Sequence, residues 1–306
     1  MKSPGNVAAS IRQRLLNKAR SGNRSFNELL QYYAMERFLY RLSCSNSVHR
    51  FILKGALLLK VWGTSEFRAT MDIDMLGNTS NEEADILPLI SDILAVKVDE
   101  DGMVFDSNSL HAEPITEDAA YEGIRIRFRG ALDSAKVVIQ IDVGFGDIVF
   151  PAPEEAFLPA ILDFPAPELY CYTRESAIAE KFEAMVKLGF LNSRMKDFYD
   201  IWILSRSFDF TGSDLAEAIR LTFKQRHCPI PETIEAFSPA FVLEKQVQWA
   251  AFRKRLGQDY IPSKFEEIVA HLSNFLAPIT ETLAINKKFD GKWLAPGPWQ
   301  RSQNYE

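Results

Sequence analysis

The spacing of hydrophobic positions changes from one half of the chain to the other. Between residues 102 and 146, apolar and polar side chains alternate, which is typical of strands with one buried face. The alternation is clearest in YEGIRIRFRG and AKVVIQIDVGFGD, and the ALDS between them suits a hairpin. After a proline-rich passage at residues 151–167, the spacing becomes helical. We therefore predict an α+β protein with a mixed sheet flanked by helices and a helical C-terminal half.

Capping signals predict where several helices begin. Ser25–Glu28 and Ser80–Glu83 have the spacing of capping boxes, and the second predicts a helix to about Val96. The apolar run FILKGALLLKVWG predicts a helix from about Gly55 to Trp62, entered through a tight turn.

The C-terminal half carries further helix signals. Thr173 is expected to cap a helix ending at Gly189, SRMKDFYDIWILSRS forms the next, and Ser213 and Ser263–Glu266 begin two more. We predict two domains, with residues 1–170 forming a core with N-terminal helices and residues 171–306 a helical domain.

The stretch RATMDIDML concentrates acids on one edge of a predicted strand. Alternation puts Met71, Ile73 and Met75 on one face, and Thr70, Asp72 and Asp74 on the other. The two carboxylates would lie about 7 Å apart and repel each other unless a positive group lies between them. A divalent metal, a basic side chain and solvent are the candidates.

Asp142 is a third acid with a suggestive position. It falls on the polar face of a predicted strand and is followed by Gly144 and Gly146, which allow close approach of a ligand or of backbone. If this strand pairs beside the one with Asp72 and Asp74, three carboxylates converge in an all-oxygen site suited to Mg²⁺ or Mn²⁺. The alternative is three aspartates on a solvated sheet face.

Lys181 and Asp197 lie on consecutive predicted helices. The neighbours of Lys181 in the sequence are apolar, which places it at the edge of the core, and Asp197 shares a helix face with Arg194. One interpretation is an ion pair, Lys181–Asp197 or Arg194–Asp197, that joins the helices. The other is a lysine presented to phosphates and held by an aspartate.

Composition and charge exclude several classes of protein. The net charge of −6 shows that the chain as a whole is not a general polyanion binder. The three cysteines are far apart, which predicts reduced thiols in a cytoplasmic protein, and no apolar run approaches the ~20 residues of a membrane span. The first 27 residues carry basic side chains and no acid, and we expect no secretory signal there. This segment is interpreted as a solvated helix face, a nucleic-acid or partner-binding arm, or a transit peptide; its basic residues are Lys2, Arg12, Arg14, Lys18, Arg20 and Arg24.

Three motifs in order resemble those of the AbiEii/MenT family of nucleotidyltransferase toxins, within the polymerase-β-like superfamily. They are FILKGALLLKVWGTSEFRATMDIDML, then IQIDVGFGD, then AEKFEAMVKLGFLNSRMKDFYDIWIL. The resemblance implies a nucleotidyltransferase-like fold and NTP- and Mg²⁺-dependent transfer of NMP to an RNA 3′ end, with tRNA the expected RNA. It also implies a toxin with a separately encoded antitoxin, and no membrane.

The resemblance implies roles for individual residues. Thr70, Asp72 and Asp74 match the metal-binding motif, and Asp142 matches the carboxylate of the neighbouring strand. Lys181 matches a lysine that contacts nucleotide phosphates, Asp197 an acid of the following helix, and Arg68 a basic residue before the metal motif. The resemblance assigns catalysis to Asp72, Asp74, Asp142, Lys181 and Asp197, and a metal pair to the first three.

The nucleotide-binding turn departs from the family pattern. The superfamily commonly has Gly-Ser and this family often Gly-Gly, where this chain has Gly55-Ala56. The serine hydroxyl is absent, so nucleotide binding is expected to depend on backbone N–H groups and on Lys54, Arg68, Thr70 or Lys181.

Three arginines are candidates for contact with an RNA acceptor. Arg125, Arg127 and Arg129 share a face of a predicted strand, and such rows of charge bind phosphates. They also fit a solvated strand face. Two alternative functions stay open: transfer to a small molecule or a protein hydroxyl, and a catalytically silent binding protein of the same fold.

Overall fold

The structure, a computed structural model, describes residues 4–64, 68–115 and 123–301. Lys2 and the YE of YEGIRIRFRG lie outside these residues. The chain forms two compact units. Unit 1 comprises Met1–Asp147 and Pro153–Tyr172, and unit 2 comprises Ile148–Ala152 and Thr173–Glu306. The functional division predicted for residues 1–170 and 171–306 stays a prediction.

Unit 1 is built on a mixed sheet of seven strands among its described residues. The strands are β1 (Phe51–Lys54), β2 (Ile73–Gly77), β3 (Met103–Pro114), β4 (Gly123–Leu132), β5 (Ala135–Phe145), β6 (Glu154–Phe157) and β7 (Glu168–Cys171). Their order across the sheet is β3-β4-β5-β2-β1-β7-β6. The β2–β5 and β1–β7 pairs are parallel and the other neighbours are antiparallel. The predicted hairpin joins β4 to β5, with Asp133 at a φ of +54° in its turn.

The helices of unit 1 are α1 (Pro4–Ser21), α2 (Phe26–Ser43), α3 (Leu58–Val61) and α4 (Glu83–Leu94). Helix α2 is buried over most of its length, including its charged residues Glu36, Arg37 and Arg41. Arg41 binds both carboxylate oxygens of Asp101, at 2.7 and 3.1 Å. Such buried charges are tolerated because each is ion-paired and hydrogen-bonded.

The strand predicted from RATMDIDML begins later than expected. β2 starts at Ile73, so Asp72 precedes it, and Met71 is 54% exposed and not on the buried face with Ile73 and Met75. Part of the reason is that Nε2 of Gln31 on α2 donates to the Met71 carbonyl at 2.9 Å and to the Val138 carbonyl at 3.0 Å. The segment before β2 is therefore tied to α2.

Unit 2 contains the helices α5 (Arg174–Leu188), α6 (Met195–Ser207), α7 (Gly212–Gln225), α8 (Pro239–Leu256) and α9 (Phe265–Ala284). It also has a small sheet of β8 (Phe210–Thr211), β9 (Gly291–Trp293) and β10 (Trp299–Arg301). The expectation that this half is entirely helical was therefore wrong. Clustered aromatic rings fill much of its core, including a stacked Trp249–Phe265 pair. Among the described residues of the chain, every helix is too short or too polar to span a bilayer.

Capping was predicted with mixed accuracy. Thr173 caps α5 as expected, through a bond from the Ser176 N–H, and the helix ends at Gly189. Ser25 is at the N-cap of α2 but its side chain makes no cap bond, because Glu28 is bound by Arg24. The other serines precede or follow their helix starts by one or two residues: α4 begins after Glu82, α7 after Thr211 and α9 after Lys264.

His271 on α9 is a neutral group in the interior of unit 2. Its Nε2 lies 2.9 Å from the Ser205 hydroxyl, and the Trp293 ring meets it edge-on. Burial, reinforced by the positive charge of Arg206, lowers the pKa of His271 to about 4. The unfolded chain binds a proton near pH 6.5, whereas the folded protein does not until about pH 4.

We predict that unit 2 loses stability as pH falls from about 6.5 to about 4, because the unfolded state takes up a proton at His271 over that range. Replacing the histidine, as in His271→Gln, should flatten the pH dependence of the melting temperature in this interval. Thermal melts of both proteins at pH 4 to 8 check this. Parallel curves for the two would contradict it.

Candidate active site

Four register partners on adjacent strands form a row of charges across the sheet of unit 1. Lys54 on β1 lies opposite Asp74 on β2, and Asp74 lies opposite Asp142 on β5. Asp142 lies opposite Arg125 on β4. Directly opposite residues project from the same face of a sheet. Two carboxylates therefore stand side by side with a cation on each flank, and we call these four residues the charge row.

Asp72, just before β2, joins Asp74 and Asp142 in a carboxylate cluster. One oxygen from each of the three side chains lies within 4.8 Å of the others, and all three residues are half-buried. The Thr70 hydroxyl donates to Oδ1 of Asp72. The structure thus brings together the three acids that the sequence placed on two strands. A donor set made only of carboxylate oxygens suits Mg²⁺ or Mn²⁺.

Gly55 lies directly against the Asp74 side chain. Its φ of +74° is in the left-handed region that favours glycine. A β-carbon at this position would overlap the Asp74 carboxylate and lie 2.7 Å from its Cβ. Ala56, which replaces the expected serine or glycine, is buried at 5% exposure. The glycine is needed both for the turn out of β1 and for the approach of Asp74.

Lys54, predicted to bind nucleotide, is held by an acid that the sequence did not single out. Its Nζ lies 3.0 Å from Oδ2 of Asp147, whose side chain is only 3% exposed. The Tyr172 ring centroid is 5.6 Å from the same Nζ. Asp147 follows Gly146, where φ is +78° and the chain leaves β5. The only sequence signal was its place at the end of GFGD, which is typical of a loop.

The three arginines of β4 are each paired with a neighbouring acid. Arg125 binds Asp142 through two hydrogen bonds, at 2.9 and 2.8 Å. Arg127 binds Gln140 at 3.0 Å and Glu113 at 2.5 Å, and Arg129 binds Asp106 at 3.0 Å. Their charge is thus largely compensated by other side chains in this structure. Contact of these residues with RNA stays a prediction.

Lys181 of unit 2 lies between two buried carboxylates. Its Nζ is 3.1 Å from Oδ1 of Asp197 and 2.8 Å from Oδ2 of Asp200, and both acids are 1% exposed. Arg194 contacts the second oxygen of Asp197 at 2.8 Å. Both ion pairs that the sequence suggested for these helices are formed, together with the Asp200 pair that it did not. Contact of Lys181 with nucleotide phosphates stays a prediction.

Arg68 lies in the segment before β2 and is half-buried. A depression of about 570 Å³ in unit 2 is lined by none of the predicted site residues. Its lining consists of Ser193, Met195, Gln248, Ala251, Lys254 and Arg255.

Comparison with known families identifies the chain. The family described as nucleotidyl transferase AbiEii toxin, type IV TA system, matches residues 37–271, well over half of the sequence. The chain belongs to the AbiEii family. The matched range contains the charge row, the carboxylate cluster and the Lys181 ion pairs, so the AbiEii match covers both units.

Two solved structures share the fold of this AbiEii protein. JHP933 from Helicobacter pylori has 14% identity and a TM-score of 0.51, covering 85% of this chain and 94% of its own. A second H. pylori protein, described provisionally as a nucleotidyltransferase, has 15% identity and a TM-score of 0.50, covering 85% and 97%. These likenesses confirm the predicted nucleotidyltransferase-like fold. Comparison with curated proteins gives no match.

We predict that Gly55→Ala disrupts the carboxylate cluster, because the added methyl group must displace Asp74. Gly63→Ala is the matched control, since Gly63 has a φ of +71° but nothing lies within 4 Å of where its β-carbon would be. Both variants should lose about 1 kcal/mol or more of stability from left-handed strain. Only Gly55→Ala should also lose Mn²⁺ binding, measured by titration calorimetry. Equal Mn²⁺ affinities in the two variants would contradict the assignment.

We predict that Lys181→Ala lowers the melting temperature, because two buried carboxylates lose a shared cation, a change that costs about 3 kcal/mol in comparable buried pairs. The exposed Lys196, on the same helix as the two acids, provides the control variant Lys196→Ala. NTP affinity of the folded Lys181 variant tests the implied phosphate contact. Lost stability with unchanged NTP affinity would assign Lys181 to the helix pair alone.

Proposed function

We propose that this AbiEii-family protein transfers a nucleoside monophosphate from an NTP to the 3′ end of an RNA, with tRNA the expected acceptor. The reaction is proposed to require Mg²⁺ or Mn²⁺. We further propose that the protein acts as a toxin that a separately encoded antitoxin neutralises. The family membership supports the nucleotidyltransferase and toxin parts, and the site supports the metal.

One observation carries the metal requirement: the pairing of β2 with β5 sets Asp74 opposite Asp142, and Asp72 completes the cluster. Carboxylates this close repel one another unless a cation offsets their charge. The donor set fits a hard divalent ion, and the half-buried position leaves access for a substrate. A bound ion would supply positive charge to the α-phosphate and to the attacking hydroxyl.

The proposed step is a single displacement at phosphorus. The acceptor hydroxyl oxygen forms a bond to the α-phosphorus, and the bond from that phosphorus to the bridging oxygen of the β-phosphate breaks. Pyrophosphate leaves with that oxygen, and the hydroxyl proton passes to a carboxylate of the cluster. Lys54, Arg68, Thr70 and the backbone at Gly55 are proposed to hold the nucleotide, and Lys181 to contact its phosphates.

Incorporation of labelled NTP in the presence of Mg²⁺ tests this function against its alternatives. Purified protein is incubated with each of the four NTPs and total RNA, with EDTA as the metal-free control. Label on RNA, sensitive to EDTA, supports the proposal. Label on a small molecule or a protein would replace the acceptor, and no transfer with any nucleotide would support a silent binding protein.

The path of the RNA is the least supported part of the proposal. Arg127 and Arg129 are the residues of the arginine row that bind acids outside the carboxylate cluster. Replacing both with Gln should weaken RNA affinity and flatten its salt dependence by about 0.7 log units per lost phosphate contact. Superimposable salt plots would exclude this strand and favour the basic residues of α1.

We predict that Asp74→Asn abolishes nucleotide transfer and Mn²⁺ binding while the apo protein keeps its fold. Loss of one metal-binding carboxylate removes several kcal/mol of transition-state stabilisation, whereas relief of acid–acid repulsion does not harm the apo state. Asp133→Asn, in the β4–β5 turn, is the control. Turnover, calorimetric Mn²⁺ titration and thermal melts check the three parts. Near-normal turnover of Asp74→Asn would disprove the assignment.

A further inference from the structure

Asp142 already holds a cation in this structure. Nε of Arg125 donates to its Oδ1 at 2.9 Å and Nη2 to its Oδ2 at 2.8 Å. Gln140 donates to Oδ1 at 3.1 Å. A carboxylate can accept about four hydrogen bonds, so these three donors occupy most of its acceptor capacity. An ion that used Asp142 would therefore meet a group that is largely engaged.

Arg125 differs in this respect from the other two arginines on its strand. Arg127 and Arg129 bind acids that are not members of the carboxylate cluster. Arg125 forms a fork on a cluster member, and the two side chains are only 20% and 16% exposed. Solvent and salt screen such a pair less than a surface pair. A guanidinium also stays charged at every physiological pH.

The position of Arg125 offsets the charge of the cluster. Asp142 and Asp74 are register partners, and Arg125 is the register partner of Asp142 on the far side. In the apo protein the guanidinium is thus close to where three carboxylates repel one another. Its fixed charge stabilises that arrangement and also repels any incoming cation.

We propose that Arg125 is a built-in counter-cation that competes with a divalent ion for Asp142. It stabilises the apo carboxylate cluster and lowers the affinity of the cluster for free metal. This inference rests on the proposed metal site, and it concerns the charge of Arg125, beyond its effect on side-chain orientation.

Mn²⁺ titration of the full-length protein, without nucleotide, tests the competition. Arg125→Gln should bind Mn²⁺ about tenfold more tightly, as expected when one nearby positive charge is lost from a partly buried site. Arg125→Lys keeps the charge and should resemble the wild type. Arg129→Gln, on the same strand and paired with Asp106, is the matched control and should be unchanged. Weaker or equal binding by Arg125→Gln, or an Arg125→Lys that behaves like it, overturns the proposal.

A double-mutant cycle in the apo protein tests the stabilising role without metal. Arg125→Gln should lower the melting temperature in the wild-type background, because three carboxylates lose their counter-cation. The loss should be smaller when Asp142→Asn has already removed the charge of the partner. Equal losses in both backgrounds would show that Arg125 contributes only packing and would overturn the proposal.

The two proposals fail in different ways. A wild-type protein that binds no Mn²⁺ overturns the metal site, and the competition falls with it. A wild-type protein that loses Mn²⁺ binding in Asp74→Asn, but whose affinity is not raised by Arg125→Gln, keeps its metal site and loses only the counter-cation.

Discussion

The parallel pairing of β2 with β5 is the constraint on which the candidate site depends. It sets Asp74 opposite Asp142, and such close acids are unfavourable without compensating charge. The neighbouring strands supply that charge, since β1 carries Lys54 and β4 carries Arg125 in the same register. A shift of either strand by one residue would turn these side chains to the opposite face. The hydrophobic pattern that fixes register therefore also fixes the electrostatics of the site.

The two flanking cations are held in different ways. Lys54 is tied to Asp147, outside the carboxylate cluster, whereas Arg125 is tied to a member of the cluster. Lys54 can thus keep its position when the charge of the cluster changes, while the contacts of Arg125 depend on that charge. Gly55 adds a steric constraint, because Asp74 lies where a β-carbon would be. Backbone geometry, packing and charge together define where Asp74 can lie.

The sequence predicted those parts of the site that local periodicity determines. Alternation placed Arg125 and Asp142 on the polar faces of their strands, and Thr173 gave the start of α5. The sequence could not give the Asp74–Asp142 register, because the two residues are far apart in the chain and their pairing depends on the whole sheet. Asp147 was missed because an acid after a glycine resembles a loop residue, and its burial is a tertiary property.

The missed helix α8 has a physical explanation. Its buried side includes Phe241, Trp249 and Phe252, but Leu243 and Val247 on the other side are 80% and 76% exposed. Apolar residues on both sides of a helix blur the periodicity by which a helix is recognised. Strands β6 to β10 have two to four residues each, too few for alternation to be visible.

The path of the chain between the two units makes them inseparable as gene fragments. The chain changes unit after Asp147, after Ala152 and after Tyr172. A fragment ending at Asp147 would lack β6 and β7, and one ending at Tyr172 would carry residues 148–152 without their own unit. There the Phe150 carbonyl accepts hydrogen bonds from the hydroxyls of Thr173 and Ser176. Recombination at any single point in the gene would therefore not exchange one unit intact, and the two are expected to be inherited together.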